Sequence, residues 1–240
     1  MKITKYRKDS DVSYALGATV TMEYLNFNIT NVEAVILHPD FRSEETISKI
    51  NALCSEHNIP VSIEEKPFNI LSQKENCFVI GVIKKHFYQL EKGNHIVLVN
   101  PSNAGNMGTI IRSAVAFGVK NIAVVTPAVD PFDPKTIRAS MGASAKVNIQ
   151  MFDSFDKYSE VFPDNNFYPF MLTGSTKLQN THIKAPFSLI MGNEATGLPD
   201  SFSQIGQPIR IEHLNTVDSL NLPIATSIAL FSATSEFFAE

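Results

Sequence analysis

The sequence has few cysteines, no long apolar run and none of the common nucleotide- or metal-binding signatures. Its two cysteines, Cys54 and Cys77, stand too far apart for a metal knuckle and read as reduced, partly buried thiols of a cytoplasmic protein. The six histidines (38, 57, 86, 95, 182 and 213) show no HxxxH or HExxH spacing, so no metal site is expected. No apolar stretch approaches the ~20 residues of a membrane span. The opening MKITKYRKDS has no apolar segment behind it, so no signal peptide is expected either. Neither GxGxxG nor the P-loop pattern occurs, which excludes the dinucleotide fingerprint and the Walker cradle. A formal charge of −4 argues against a broadly basic nucleic-acid binder and leaves that role to a local basic patch or a dimer-composed surface. What remains is a chain of 240 residues, 44% apolar and 18% charged. That is the composition of an ordinary globular protein, with length for one large or two small domains.

Strand and helix signals alternate. Residues 32–38, 59–63 and 77–83 read as strands, 43–57 as a helix and 68–74 as a short helix. The polar stretch 84–94 reads as a linker between a first domain (1–90) and a second (91–240). Beyond it, strands are expected at 96–99, 121–126, 145–149, 168–173, 188–191 and 209–211. Helices are expected at 107–117, 134–140, 154–161, 199–204 and 220–238. Such alternation implies an α/β fold with a mainly parallel sheet covered on both faces.

Three segments share one grammar of strand, polar loop and helix. The first, NPSNAGNMGTIIRSAVAF at 100–117, places Asn103 in a Gly/Asn-rich loop and Arg112 about one turn into the helix, pointing back towards that loop. The second, SLIMGNEATGL at 188–198, carries Glu194 between Gly192 and Gly197. The third, DSLNLPIATSI at 218–228, puts Ser219 and Asn221 before an Ala-rich helix. Taken singly, each has an ordinary structural reading: turn glycines, helix N-caps, a glutamate favoured by a helix dipole, a solvated arginine. Loops leaving the C-terminal ends of parallel strands gather at one edge of a sheet, where ligands bind. The three segments together therefore point to one crevice holding Asn103, Arg112, Glu194, Ser219 and Asn221.

These segments resemble motifs 1, 2 and 3 of the SpoU (TrmH-like) RNA ribose 2′-O-methyltransferases, of the trefoil-knotted SPOUT class. Motif 1 is matched by Asn103, Gly105, Asn106, Gly108 and Arg112, motif 2 by Gly192, Glu194, Gly197 and Leu198, and motif 3 by Ser219, Leu220 and Asn221. Residues 137–143 (IRASMGA) are a further family-like stretch, and the resemblance covers roughly 95–235. The first part is similar to the small ribosomal-protein-like α/β domain that often binds substrate beside this catalytic domain. The third motif departs from the pattern: Ile211, Glu212 and His213 replace its usual start, and Asn215 stands where glycine is common.

The resemblance implies a C-terminal parallel-sheet α/β domain with a trefoil knot and a smaller N-terminal α/β domain. It implies S-adenosyl-L-methionine held by backbone around Leu172, Thr173, Gly174, Gly192, Ile211 and Leu220. It also implies tRNA or rRNA as substrate and a homodimer formed through the knotted region, with the last helix (Ala225, Ile228, Ala229, Leu230, Phe237, Phe238) facing either the partner or its own sheet. The family role of Arg112 is that of base, although a free arginine is a poor one; the other role open to it is to orient phosphate and ribose. Asn103 would position the hydroxyl or Arg112, Glu194 would hold Asn103 or Arg112 in place, and Ser219 and Asn221 would fix the phosphate or the third loop. Two other readings stay open: a knotted methyltransferase acting on an RNA base, and a non-catalytic RNA-binding homologue.

Overall fold

The computed structural model describes residues 3–71, 77–173, 176–214 and 216–238. The elements run β1 (Val12–Leu16), α1 (Ala18–Phe27), β2 (Val32–Leu37), α2 (Glu44–Glu56), β3 (Val61–Ile63), α3 (Lys66–Leu71) and β4 (Val79–Lys84). They continue with β5 (His95–Val99), α4 (Ala104–Ala116), β6 (Asn121–Val125), α5 (Pro134–Ala139), β7 (Asn148–Phe152), α6 (Phe155–Val161) and β8 (Asn166–Pro169). The last are β9 (Thr176–Lys177), β10 (Phe187–Met191), β11 (Ile209–Arg210) and α7 (Leu222–Thr234). Among the described residues no helix is long and apolar enough to cross a membrane.

Two compact units result, one of residues 1–86 and 130–146, the other of 87–129 and 147–240. The first carries a mixed sheet in the order β1-β4-β2-β3, in which β4 runs antiparallel to both neighbours and only β2–β3 is parallel. Strand periodicity sorts its core. Ala15, Val35, Leu37, Val79 and Ile83 face α1 and α2, while Tyr14, Leu16, Ile36, Ile80 and Val82 face Phe68 of α3. At Gly81 an added Cβ would lie 3.1 Å from Thr21 of α1, so the helix rests on bare backbone there.

Residues 130–146, read with the second domain on the sequence, pack with the first unit, where Phe132, Ile137 and Ala145 join the core. Lys85 anchors this segment. Its ammonium donates to Asp130 at 3.0 Å and to the Lys8 carbonyl at 2.7 Å, and Tyr6 donates to the same carboxylate. Gly142, at φ +85°, lies against α1, where a Cβ would come within 2.6 Å of the Glu23 side chain. The family-like stretch 137–143 thus serves as a docking edge for α1, completed by Ser140, Ser144 and the Tyr24 hydroxyl.

The second unit holds a five-stranded sheet, parallel throughout, in the order β7-β6-β5-β10-β8. Val97, Val99, Ala123, Val125 and Ile190 on one face pack on the aromatic rings of α6 and its surroundings. The alternate set, Ile96, Leu98, Ile122, Val124 and Leu189, is fully buried as well. Near the N-terminal ends of β5 and β10, buried His95 gives its Nε2 proton to the Glu91 carbonyl (2.7 Å) and accepts from Tyr158 (2.8 Å). Tyr158 in turn accepts from Ser188 (2.6 Å), which accepts from Asn165 (2.9 Å).

Several elements differ from expectation. Neither β1 nor α1 is among the elements that periodicity predicts. The strand expected at 145–149 begins at Asn148, because residues 143–146 form a 3-10 turn tied to Ser140. β8 ends at Pro169 rather than 173, 200–204 is 3-10 rather than α, and the last helix becomes 3-10 at Ser235. The helix expected at 68–74 starts at Lys66, and its residues 72–74 lie outside the described residues.

Two outcomes are expected. Asp130→Asn takes the counter-charge from the largely buried Lys85 ammonium, which keeps only the Lys8 carbonyl and the Tyr6 hydroxyl, and should cost about 3 kcal/mol in urea unfolding. Burial pushes the His95 and His86 imidazoles below their ordinary range, so each opposes protonation of the native state. Stability should therefore be full above about pH 6.5 and decline as pH falls below it, and His95→Gln should lessen that slope in denaturant titrations at about pH 7 and about pH 5.

Candidate functional site

In the second unit the chain runs from β5 outward to β6 and β7, then fills the other side of the sheet with β8 and β10. The reversal falls between β5 and β10, so the loops leaving their C-terminal ends part and leave a crevice. A four-residue connection, 100–103, leads from β5 into helix α4. Asn103 is its N-cap, with Oδ1 accepting from the Asn106 amide at 3.1 Å. The Gly/Asn-rich stretch is thus the first turn of the helix rather than a loop. Arg112 consequently lies more than two turns in, not one. It is exposed, and among the described residues it has no hydrogen-bond or ion-pair partner.

Glu194 joins the two loops. One carboxylate oxygen accepts from the Ser102 amide (3.0 Å) and hydroxyl (2.8 Å), the other from the Asn103 amide and the Asn106 side chain (both 3.2 Å). Partial burial pushes this carboxyl up, but the donors from Ser102 and Asn106 more than offset that, and it sits below the usual carboxylate range. Glu194 is thus bonded to the Asn103 backbone amide. It makes no ion pair with Arg112 among the described residues. The neighbouring Asn193 donates to the Asn100 carbonyl at 2.8 Å and accepts from the amides of Ala195 and Thr196, which shapes the turn. Glycine is obligatory at 192: a Cβ there would lie 2.3 Å from the Gly197 carbonyl carbon and 2.4 Å from the Leu198 nitrogen.

Beside this junction is a cavity of about 330 Å³, within the ~300–1,000 Å³ usual for small-molecule sites. Leu172, Thr173, Gly192, Ile211 and Leu220 line it, and so do Glu194 and Ser219. Gly174 and Asn215 lie outside the described residues. Asn103, Arg112 and Asn221 are not in its lining. Asn221 occupies the N-cap position of α7 without a side-chain cap bond. The third loop reaches the cavity from β11, which pairs with β9 in a separate two-stranded sheet rather than in the main one. The sequence did not single out Ser102, Asn193 or Asp200, whereas His213 stood out as a departure in the third motif. Of the first three, only Asn193 left a signal, an Asx-turn residue between two turn glycines.

The family model of the SpoU rRNA Methylase family matches residues 93–231. The chain belongs to that family. It is 32% identical over 136 residues to a protein of Syntrophobacter fumaroxidans named ribosomal RNA small subunit methyltransferase G 2, covering 57% of this chain but 26% of that one. It is 28% identical over 151 residues to the tRNA (cytidine/uridine-2′-O-)-methyltransferase TrmJ of Klebsiella pneumoniae, covering 57% of this chain and 61% of the relative. The chain thus spans only part of the length of these relatives. A crystal structure of an AdoMet-bound rRNA methyltransferase from Sinorhizobium meliloti superposes with a TM-score of 0.82 at 25% identity, over 97% of this chain and 90% of the other. The α/β fold with a parallel-sheet core is that of the SPOUT methyltransferases.

Glu194→Gln should leave two of four donors facing an amide nitrogen. The expected result is a loss of about 1–2 kcal/mol in stability and faster hydrogen exchange at the amides of residues 102 and 103, with exchange in the first unit unaltered.

Proposed function

We propose that the protein transfers a methyl group from S-adenosyl-L-methionine to a ribose 2′-hydroxyl of tRNA or rRNA. The observation that carries this reading is the cavity at the β5/β10 switch point, walled by residues 170–173 and by the second and third motif loops, with the first loop bonded to its edge through Glu194. Its residues suit the donor. Leu172, Ile211 and Leu220 offer an apolar slot for an adenine, and Gly192 permits close approach of backbone. When bound, the donor supplies an already activated methyl on a sulfonium, so the protein's task is to place a nucleophile in line.

Glu194 has its oxygens taken up by the α4 entry and acts as a positioning group rather than a base. Asn103 has its side-chain oxygen engaged as the cap, leaving its amide nitrogen to donate to substrate. Arg112, charged and unpartnered among the described residues, grips phosphate and ribose and stabilises the negative charge that develops at O2′ as the hydroxyl proton passes to water. Ser219 and Asn221 fix the third loop and the phosphate.

The same reading covers the whole chain. The knot and the role of the first unit in holding RNA are part of it. So is a homodimer, supported by an apolar surface on which Ile224, Phe231 and Ile228 stand exposed beside Phe117. Ala229 and Leu230 of the same helix are buried in the protomer and Ala225 lines the donor cavity, so neither expected face of α7 excludes the other. Both cysteines are buried, which suits a reducing cytoplasm.

Incubation with labelled donor and total RNA should yield a phosphodiester resistant to alkaline cleavage, because 2′-O-methylation removes the attacking hydroxyl. A methyl on a base would overturn the ribose assignment. Arg112→Ala should abolish transfer while leaving donor affinity within about twofold in calorimetry; equal loss of both would remove Arg112 from the substrate side.

A further inference from the structure

The entry to the third loop departs from the family pattern at Glu212 and His213, and the structure gives that departure a physical form. Side chains alternate along this segment. Ile209, Ile211 and His213 line the donor cavity, while Arg210 and Glu212 turn to the other face. There Glu212 meets two cations, Arg210 Nε at 2.6 Å and Lys177 Nζ at 3.4 Å. Lys177 lies on β9, the strand paired in parallel with β11. Residues 170–173, just ahead of β9, form another part of the cavity wall, and the Met171 amide donates to the Ile209 carbonyl at 2.9 Å.

The pairing of β9 with β11 is only two residues long on each side, well short of the ~5–6 residues of a typical strand. Backbone bonds alone hold such a ribbon weakly. The Glu212 carboxylate spans it, tying a residue of β9 to a residue of β11. Partial desolvation raises its carboxyl, and the fields of Arg210 and Lys177 more than reverse that, so it stays ionised.

We infer that Glu212 is a positioning residue for the donor cavity: with Lys177 and Arg210 it forms an ionic clasp that holds β9 and the 209–213 wall in register. The inference rests on the cavity being the donor site. All three side chains are partly exposed (47%, 38% and 41% for Lys177, Glu212 and Arg210), so the clasp is accessible to salt. Donor affinity should carry a salt-dependent component that belongs to this cluster and not to the donor.

The test is calorimetric titration of S-adenosylmethionine into the full chain, at about 0.05 M and about 0.5 M salt. The proteins compared are wild type, Glu212→Gln, Lys177→Gln and the double variant. Glu212→Gln should weaken donor binding about fivefold at low salt with little change in Tm. Lys177→Gln should do less, in keeping with its longer contact, and the double variant should be no worse than Glu212→Gln alone. Wild-type affinity should fall with salt more steeply than that of Glu212→Gln. Equal affinity and equal salt slope for wild type and Glu212→Gln would overturn the clasp, while wild type failing to bind the donor at either salt would overturn the donor site itself. Should Glu212→Gln not fold, an unchanged affinity and salt slope in Lys177→Gln would be the overturning result.

Discussion

A single carboxylate holds the crevice together. Glu194 stands in the loop after β10, yet its partners lie at the mouth of α4, some ninety residues earlier in the chain. A helix start leaves unsatisfied amides and a partial positive charge, a natural seat for an external anion. Here the amides just ahead of that start are taken by the protein's own side chain, and the Asn106 amide by the Asn103 cap. The α4 entry is thereby fixed to the loop that carries Gly192, and the wall of the cavity inherits its position from that bond.

This self-capping also divides the crevice electrostatically. The negative charge of Glu194 is spent internally at the strand ends, and the positive charge of Arg112 stands further along α4, exposed. An acidic chain that recognises a polyanion needs its cations placed where they act rather than spread broadly. On the proposed reading, the division assigns the cavity to a small donor and the outer stretch of α4 to the nucleic acid.

Much of the second unit could be read from the sequence because its strands are short, fully apolar runs bounded by turn residues. Val97, Val99, Ile122 and Leu189 announce buried parallel strands without knowledge of their neighbours. Local chemistry is less decisive at the α4 start. Glycine and asparagine are poor helix formers, and only the cap made by Asn103 carries the helix back to Ala104. β1 and α1 escape notice because Val12 to Phe27 is an almost unbroken apolar and small-residue stretch in which neither period stands out. The partners of Glu194, the placing of β11 outside the main sheet and the union of Asp130 with Lys85 depend on contacts distant in sequence. No window of periodicity contains them. The shared strand–loop–helix grammar, reinforced by the family resemblance, grouped the three loops, whereas the bonds made by Glu194 depend on the three-dimensional fold.

The docking of residues 130–146 onto the first unit has a consequence for inheritance. The matched family region, 93–231, includes this segment, while packing assigns it to the other unit. Borders of kinship and borders of folding therefore do not coincide in this chain. A recombination event joining a foreign head to the second unit at one crossover would part Asp130 from Lys85 and Gly142 from Glu23. The head and the inserted segment must be inherited together, or change in step.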